Sequence, residues 1–190
     1  SLVLSGQADR AVEVLRGFVA AHPENARVWG VLSGAMTYAP TVSAAVRKEF
    51  AVEFGKRFSA DVPRAGAPTI ENPDPERPLR IGYIAQDISS FSAITFFLEP
   101  LLEHHDRERY PVTCYLTQAR SGVMTDRLKG WVKSWVDATD LPVATLAERI
   151  RGARIDILVD LAGRTPGHRK QTLIRRPAPI IVSAIGDPET

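Results

Sequence analysis

Hydrophobic residues follow two different patterns along this chain, and the change between them marks a boundary. Over residues 11–19, apolar positions recur every three to four residues, which is typical of an amphipathic helix. Apolar segments of the same kind run over about 26–38 and onward from Ser43, a residue type favoured as a helix N-cap. No alternation of the β type interrupts them, so residues 1–58 are predicted to be helical.

The segment that follows is rich in proline and breaks the helical pattern. Five of the 14 prolines lie within residues 59–78, in the sequence SADVPRAGAPTIENPDPERP. Proline removes a backbone donor and blocks helix formation, so this segment is predicted to be an extended linker. It separates the helical region from a third region, residues 79–190.

In this third region, short apolar runs alternate with amphipathic segments. The run IDILVDLAG is almost continuously apolar, as expected of a strand that is buried on both faces. Strands that alternate with helices indicate a parallel sheet, so we predict an α/β, Rossmann-like parallel sheet over residues 79–190. Its strands are expected in LRIGYIA, YPVTCYL, SWVDAT, IDILVDLAG and APIIVSAIG, and its helices at about 93–105, in TDRLKGWV, in LPVATLAERIRGA and in the basic segment after His168.

Candidate chemistry lies where these strands end, because ligands bind beyond the carboxyl ends of parallel strands. After the first strand, Asp87 is a candidate base or substrate contact, with an ordinary turn carboxylate as the alternative. Ser92 precedes a helix, either as its cap or as part of an anion site. After the fourth strand, Arg164, His168 and Arg169 are candidates to gather around a phosphate or carboxylate. In the alternative, Arg164 covers a sheet edge and His168 is solvated at a helix start.

Composition excludes several classes of function. With 24 Lys and Arg against 22 Asp and Glu, the net charge of +2 gives no argument for a nucleic-acid partner. No apolar run reaches about 18 residues, so no membrane partner is expected. The single cysteine, Cys114, is predicted to be a small buried side chain, which fits a reducing, cytoplasmic location. No dinucleotide or Walker motif, metal-ligand spacing, carboxylate pair or nucleophile elbow occurs, so we expect neither a cofactor nor a metal.

The first residues resemble part of a known helical repeat. The stretch SGQADRAVEVLRGFVAAHPENARVW is similar to the second helix and closing turn of a tetratricopeptide repeat. Gly6, Ala11, Phe18 and Pro23 fall at that repeat's small, small, bulky and proline positions. Each such repeat buries its apolar face on its neighbours, so the resemblance implies further repeats upstream.

Residues 79–190 resemble the N-terminal half of the catalytic region of the protein O-GlcNAc transferases, glycosyltransferase family 41, also called the SPINDLY-like family. The stretches that carry the resemblance include LRIGYIAQD, FLEPLLEHHDRERYPVTCY, IDILVDLAGRTPGHR and RRPAPIIVSAIGDPET. The helices of 26–58 are similar to that family's bridge between repeats and catalytic region. The resemblance implies a GT-B fold, in which two Rossmann-like halves face each other across a cleft.

The resemblance also implies an activity. Members of the family transfer N-acetylglucosamine from UDP-GlcNAc to Ser or Thr hydroxyls of acceptor proteins, with inversion at the anomeric carbon. The first half shapes the acceptor side and the second binds most of the UDP, so the implied partners are an acceptor protein or peptide and a UDP-sugar. Because half a cleft cannot position donor and acceptor together, we expect the 190-residue chain to be inactive alone.

Several residues depart from the family pattern. A histidine usually follows four residues after the position of Asp87, where this chain has Phe91, and Arg164 replaces a second histidine. Phenylalanine cannot move a proton, and arginine cannot act as a general base near neutral pH, so no catalytic residue is assigned. His168 stands where the family often has Asn. The candidates for substrate binding are Asp87, Ser92, Arg164, Thr165, His168 and, from the family's final turn, Gly186, Pro188 and Thr190.

Two alternative functions follow from these departures. The altered half-domain and its helices are also compatible with a non-catalytic protein-interaction module derived from this family. A third hypothesis is an unrelated nucleotide-binding α/β module. Sugar transfer by the extended protein favours the first function, capture of a partner without turnover favours the second, and nucleotide binding by residues 79–190 alone favours the third.

Overall fold

The computed structural model describes residues 2–59, 66, 68–70, 72–86, 88, 92–163 and 167–185. These residues form two compact units, which we call the helical unit (2–59) and the sheet unit (66–185).

The helical unit consists of three helices, α1 (Ala8–Ala21), α2 (Ala26–Tyr38) and α3 (Ala44–Ser59). Two of them begin at capping side chains. Asn25 Oδ1 accepts hydrogen bonds from the backbone N–H groups of Arg27 and Val28 at the start of α2. Ser43 Oγ accepts a hydrogen bond of 3.3 Å from the N–H of Val46, which confirms the N-cap predicted for α3.

The core of the helical unit lies between α1 and α2 and extends onto α3. Small residues on α1, Ala8 and Ala11, pack against Leu32 and Met36 of α2, which are almost fully buried. Trp29 stacks on Phe50 of α3 at a ring-centroid distance of 4.8 Å. Isolated helices of this length are only marginally stable. The packing contacts between the three helices therefore stabilise each of them.

The sheet unit alternates strands and helices as its sequence predicts. Its elements are β1 (Ile81–Ala85), α4 (Ala93–His104), β2 (Val112–Leu116), α5 (Val123–Lys129), β3 (Ser134–Asp137), α6 (Val143–Gly152), β4 (Ile157–Asp160), α7 (Lys170–Ile174) and β5 (Ile180–Ser183). The strand order is β3-β2-β1-β4-β5, and every neighbouring pair is parallel. The predicted α/β fold with a Rossmann-like parallel sheet is therefore confirmed.

Helices cover both faces of the central strands. On one face Tyr115 of β2 and Leu158 of β4 pack with Ile150 of α6. On the other face Cys114 of β2 packs with Leu98 of α4. All five residues of β2 are buried, as expected of a strand covered on two sides. Burial of Cys114 is thereby confirmed, and it raises the pKa of its thiol to about 12, so the thiol is unreactive near neutral pH.

One glycine in β1 is required by close packing. A Cβ atom added to Gly82 would lie 3.0 Å from Ile155 Cγ2 and 3.0 Å from Leu158 Cδ1. Both neighbours belong to the buried core, so they have little room to move. Glycine at position 82 therefore leaves room for the side chains of Ile155 and Leu158.

The two edges of the sheet differ in character. The edge strand β5 exposes Ile180 and Val182, which are 46% and 42% accessible. The opposite edge strand, β3, exposes Ser134 and Asp137. The sheet thus has one apolar edge and one polar edge.

The end of the linker is tied to the start of β4 by a buried ion pair. Arg77 donates two hydrogen bonds to the Asp156 carboxylate, Nη2 to Oδ1 over 2.7 Å and Nη1 to Oδ2 over 2.9 Å. Arg77 Nε also donates to the carbonyl oxygen of Asn72, and the N–H of Arg80 donates to Asp156 Oδ2. Residues 72–80 are therefore held against the sheet, and we call this segment the strap.

Candidate functional site

The loops that follow β1, β2 and β3 are joined by hydrogen bonds at the carboxyl edge, the edge of the sheet where the strands end. The N–H of Gln118 donates to the carbonyl oxygen of Gln86 over 2.8 Å, which joins the first two loops. The N–H of Ala119 donates to Thr139 Oγ1 over 3.0 Å, which joins the second and third. Thr139 is in turn held through its own N–H by Asp137 Oδ1. The carboxyl edge is a connected framework rather than a set of independent loops.

Arg169 connects this framework to the turn after β4. Its Nη2 atom donates to the carbonyl oxygens of Ala138 and Thr139 over 3.0 Å and 2.7 Å. One alternative from the sequence placed Arg169 around a phosphate or carboxylate. In the structure the Nη2 atom holds the β3 loop, so Arg169 positions the turn that contains His168. A contact of Arg169 with a phosphate or carboxylate stays a prediction.

Gly167 brings the same turn against the loop after β2. Its φ angle of +92° lies in the left-handed region, and an added Cβ atom would lie 2.8 Å from Gln118 Nε2. The amide end of Gln118 can move aside, whereas the backbone conformation cannot be adopted by an L-residue without strain. Glycine is therefore required here mainly for its backbone conformation.

Replacing Gly167 with alanine is expected to destabilise the sheet unit by about 1 kcal/mol, because alanine is strained at this φ angle. The matched control is Gly17→Ala in α1, where an added Cβ meets nothing within 4 Å and helix propensity favours alanine by about 0.5–1 kcal/mol. Urea unfolding of both variants measures the two effects. Opposite signs support this account, and destabilisation relieved by a second substitution, Gln118→Ala, would mean that contact rather than φ is the cause.

His168 is a half-buried imidazole at the carboxyl edge. Burial, followed by the positive charges of Lys170 and Arg169, lowers the pKa of His168 to about 4. Its Nδ1 atom is buried and has no hydrogen-bond partner among the residues that the structure describes. A neutral ring with an unpaired buried nitrogen can bind a polar group of a ligand, since such nitrogens are normally satisfied.

Ser92 is the other sequence candidate whose position is described. It is the N-cap residue of α4 by backbone geometry, and the N–H of Thr95 donates to its carbonyl oxygen over 3.0 Å. Its hydroxyl makes no capping hydrogen bond with any described residue. The helix thus leaves the Ser92 side chain free for a contact with another group.

The remaining sequence candidates cannot be placed relative to these two. Asp87, Arg164, Thr165, Gly186, Pro188 and Thr190 lie outside the described residues, as does Phe91 at the family's histidine position. Their assignment as substrate contacts stays a prediction.

Asp160 is a residue of this edge that the sequence did not single out. It is buried at the end of β4, and its Oδ1 accepts a hydrogen bond of 3.0 Å from the N–H of Ala162. Burial raises the pKa of Asp160, while that hydrogen bond, the charge of Lys170 and the N–H of Gly163 oppose the rise. The signal in the sequence was a carboxylate inside the apolar run IDILVDLAG, where only a side chain with local hydrogen bonds is tolerated.

Neither a metal site nor a membrane span occurs in the part of the chain that the structure describes. No group of three or more His, Cys, Asp or Glu side chains there is arranged to hold a metal ion. No described helix is both long and apolar enough to cross a bilayer.

Comparison with known proteins shows the family to which this chain belongs. A family model described as Glycosyl transferase family 41 matches residues 66–190, which is 125 of the 190 residues. The chain belongs to glycosyl transferase family 41. Its fold agrees with that family: a Thermobaculum terrenum O-GlcNAc transferase variant superposes with a TM-score of 0.90 and 35% identity, over 98% of this chain and 35% of that one.

Curated relatives in family 41 are much longer than this chain. A probable UDP-N-acetylglucosamine–peptide N-acetylglucosaminyltransferase SPINDLY from Arabidopsis thaliana is 37% identical over 121 residues, which is 62% of this chain and 13% of that protein. A UDP-N-acetylglucosamine–peptide N-acetylglucosaminyltransferase from Caenorhabditis elegans is 32% identical over 114 residues, 59% of this chain and 10% of that protein. The chain therefore spans a minor part of each relative.

Proposed function

We propose that the protein, in a form extended to the length of its relatives, transfers N-acetylglucosamine from UDP-GlcNAc to Ser or Thr hydroxyls of acceptor proteins, with inversion. These residues form the acceptor-side half of its cleft. The observation that carries the proposal is the match of residues 66–190 to glycosyl transferase family 41. The relatives' names as N-acetylglucosaminyltransferases supply the donor and the peptide acceptor.

In this proposal the described residues bind and orient the acceptor. Transfer joins the hydroxyl oxygen of the acceptor to the anomeric carbon as the bond to UDP breaks, and the hydroxyl proton passes to a base. Neither Phe91 nor Arg164 can take that proton. The roles left for this half are hydrogen bonding by Ser92 and His168 and alignment of the acceptor through the turn held by Arg169.

A turnover assay tests the proposal. The extended protein and the 190-residue chain are each incubated with UDP-GlcNAc and a Ser/Thr peptide library, and transfer is followed by mass spectrometry. The extended protein is expected to add one N-acetylhexosamine per site, and the chain alone none, because the chain covers only 35% of the O-GlcNAc transferase to which it is similar. An extended protein that binds UDP-GlcNAc without transferring it would reject the proposal.

The second candidate function is a non-catalytic interaction module. The observation that favours it is the presence of Phe91 and Arg164 where the family usually has histidines. In the extended protein, Arg164→Ala distinguishes the two functions. A loss of at least about tenfold in kcat/KM, the effect of removing one charged substrate contact, supports the enzyme. Retained partner binding with no turnover in either form supports the interaction module.

A further inference from the structure

The sheet unit has a cavity at its amino edge, where the strands begin, on the opposite side of the sheet from the candidate site. Its volume is about 780 Å³, within the range of about 300–1,000 Å³ found for small-molecule sites. For every strand, the first residue or the residue just before it contributes to the lining. The linker contributes Pro68, Thr69, Ile70 and Asn72. The cavity is therefore built from several distant parts of the chain.

Part of the cavity lining, which we call the apolar wall, consists of apolar residues and includes an aromatic ring. Trp131, Ile155, Pro177 and Pro179 contribute to it from the sheet and Ile70 from the linker. The side chain of Ile155 is almost fully buried, whereas Trp131 is only partly buried. This wall suits a flat ring, which stacks on an aromatic side chain and on proline.

The rest of the lining carries an excess of positive charge. Arg80, Arg107 and Lys133 come from three separate segments, and none forms an ion pair with another described residue. The other charged residues of the lining are Arg77, Arg151, Arg154, Glu108 and Asp156. Arg77 pairs with Asp156, so six Arg and Lys side chains face two carboxylates. Three unpaired cations around one cavity, in a chain with a net charge of only +2, concentrate positive potential there.

Attraction to helix ends does not account for these three cations. Basic side chains in the last turn of a helix are stabilised by its negative end, but the effect falls off within that turn. Arg107 lies in the turn after α4, Lys133 lies between the end of α5 and β3, and Arg80 is the last residue of the strap, directly before β1. Their common feature is the cavity, not a helix terminus.

We propose that the amino-edge cavity binds a small organic phosphate, that is, a phosphate ester joined to an aromatic or heterocyclic ring. Arg80, Arg107 and Lys133 contact the phosphate, because guanidinium and ammonium groups form charge-assisted hydrogen bonds with its oxygens. The ring lies on the wall formed by Trp131 and the prolines. This site is separate from the acceptor-binding edge and does not depend on the sugar-transfer function.

An NMR titration of the ¹⁵N-labelled chain with phenyl phosphate tests the proposal. Saturable shifts are expected at the amides of Arg80, Arg107, Lys133 and Ile155, and none at the carboxyl edge. Benzamidine, a cationic ring of similar size, should leave these amides unshifted. Inorganic phosphate should shift the same amides with weaker affinity, since it lacks the ring.

Paired variants provide the control. The double variant Arg107→Gln with Lys133→Gln is expected to weaken phenyl phosphate binding at least about tenfold. Arg27→Gln with Lys48→Gln, which removes the same charge from exposed positions of the helical unit, should change affinity by less than about twofold. Two results would overturn the proposal: no saturable shift at the amino edge up to about 10 mM, or equal losses in the two double variants. Unchanged amide spectra elsewhere establish that each variant is folded.

Discussion

Replacing Asp156 with alanine is expected to lower the free energy of unfolding of the sheet unit by about 3 kcal/mol. The substitution leaves the Arg77 guanidinium and the N–H of Arg80 without their acceptor in a place where the Arg77 and Asp156 side chains are only 15% and 11% exposed. Arg77 keeps its hydrogen bonds to the carbonyl oxygens of Asn72 and Pro78, so the loss lies at the lower end of the range for broken buried pairs.

Urea unfolding followed by tryptophan fluorescence measures this effect. Trp131 and Trp135 report on the sheet unit, and a Trp29→Phe background removes the signal of the helical unit. A loss of this size corresponds to a decrease of about 9–18 °C in Tm for a unit of about 120 residues.

The matched control is Glu76→Ala in the strap. Glu76 lies 3.8 Å from Arg109, and these side chains are 78% and 51% exposed, so their ion pair contributes less than about 0.5 kcal/mol. Equal effects of Asp156→Ala and Glu76→Ala would contradict the view that the buried pair anchors the strap.

The stability of the sheet unit is expected to fall between pH 6.5 and pH 4 because of His168. Its pKa is lowered from 6.5 to about 4 in the folded protein, so within this window the unfolded state binds more protons than the folded state. Protonation therefore favours unfolding as the pH falls. At one pKa unit per about 1.4 kcal/mol, His168 contributes a loss of about 2 kcal/mol at pH 5 and about 3 kcal/mol at pH 4.

The variant His168→Gln isolates this contribution. Carboxylates such as Asp137 and Asp156, whose pKa values are lowered by hydrogen bonds that outweigh their burial, also reduce stability at acid pH, but they are present in both proteins. The difference between wild type and variant in urea unfolding should therefore depend on pH only through His168. An NMR titration of the His168 ring with a midpoint near 6.5 rather than 4 would contradict the prediction.

Much of the fold is predictable because residues buried in a helix or a strand recur in the sequence at a spacing typical of that element. The segment predicted over about 26–38 is helix α2 with the same bounds, and each predicted strand of residues 79–190 contains a strand of the sheet. Local chemistry was equally informative at Ser43, whose hydroxyl caps α3 as its residue type predicts.

The contacts that shape the candidate site were less predictable because they join distant residues. Nothing near Gly167 in sequence indicates that it packs on Gln118, and the pairing of Arg77 with Asp156 spans 79 positions. The basic segment after His168 was also only partly informative. Helix α7 ends at Ile174 and Arg176 has a φ angle of +49°. The Arg151 guanidinium donates to the carbonyl oxygens of Arg175 and Arg176, a contact between distant residues.

Because the two edge strands differ in polarity, a further strand is expected to pair more readily with β5 than with β3. A strand that approaches β3 would bring Ser134 and Asp137 out of water, a cost that protects that side from unwanted pairing. A strand that approaches β5 would instead cover Ile180 and Val182 while it completes the backbone ladder. At high concentration, self-association of this chain should therefore begin at β5.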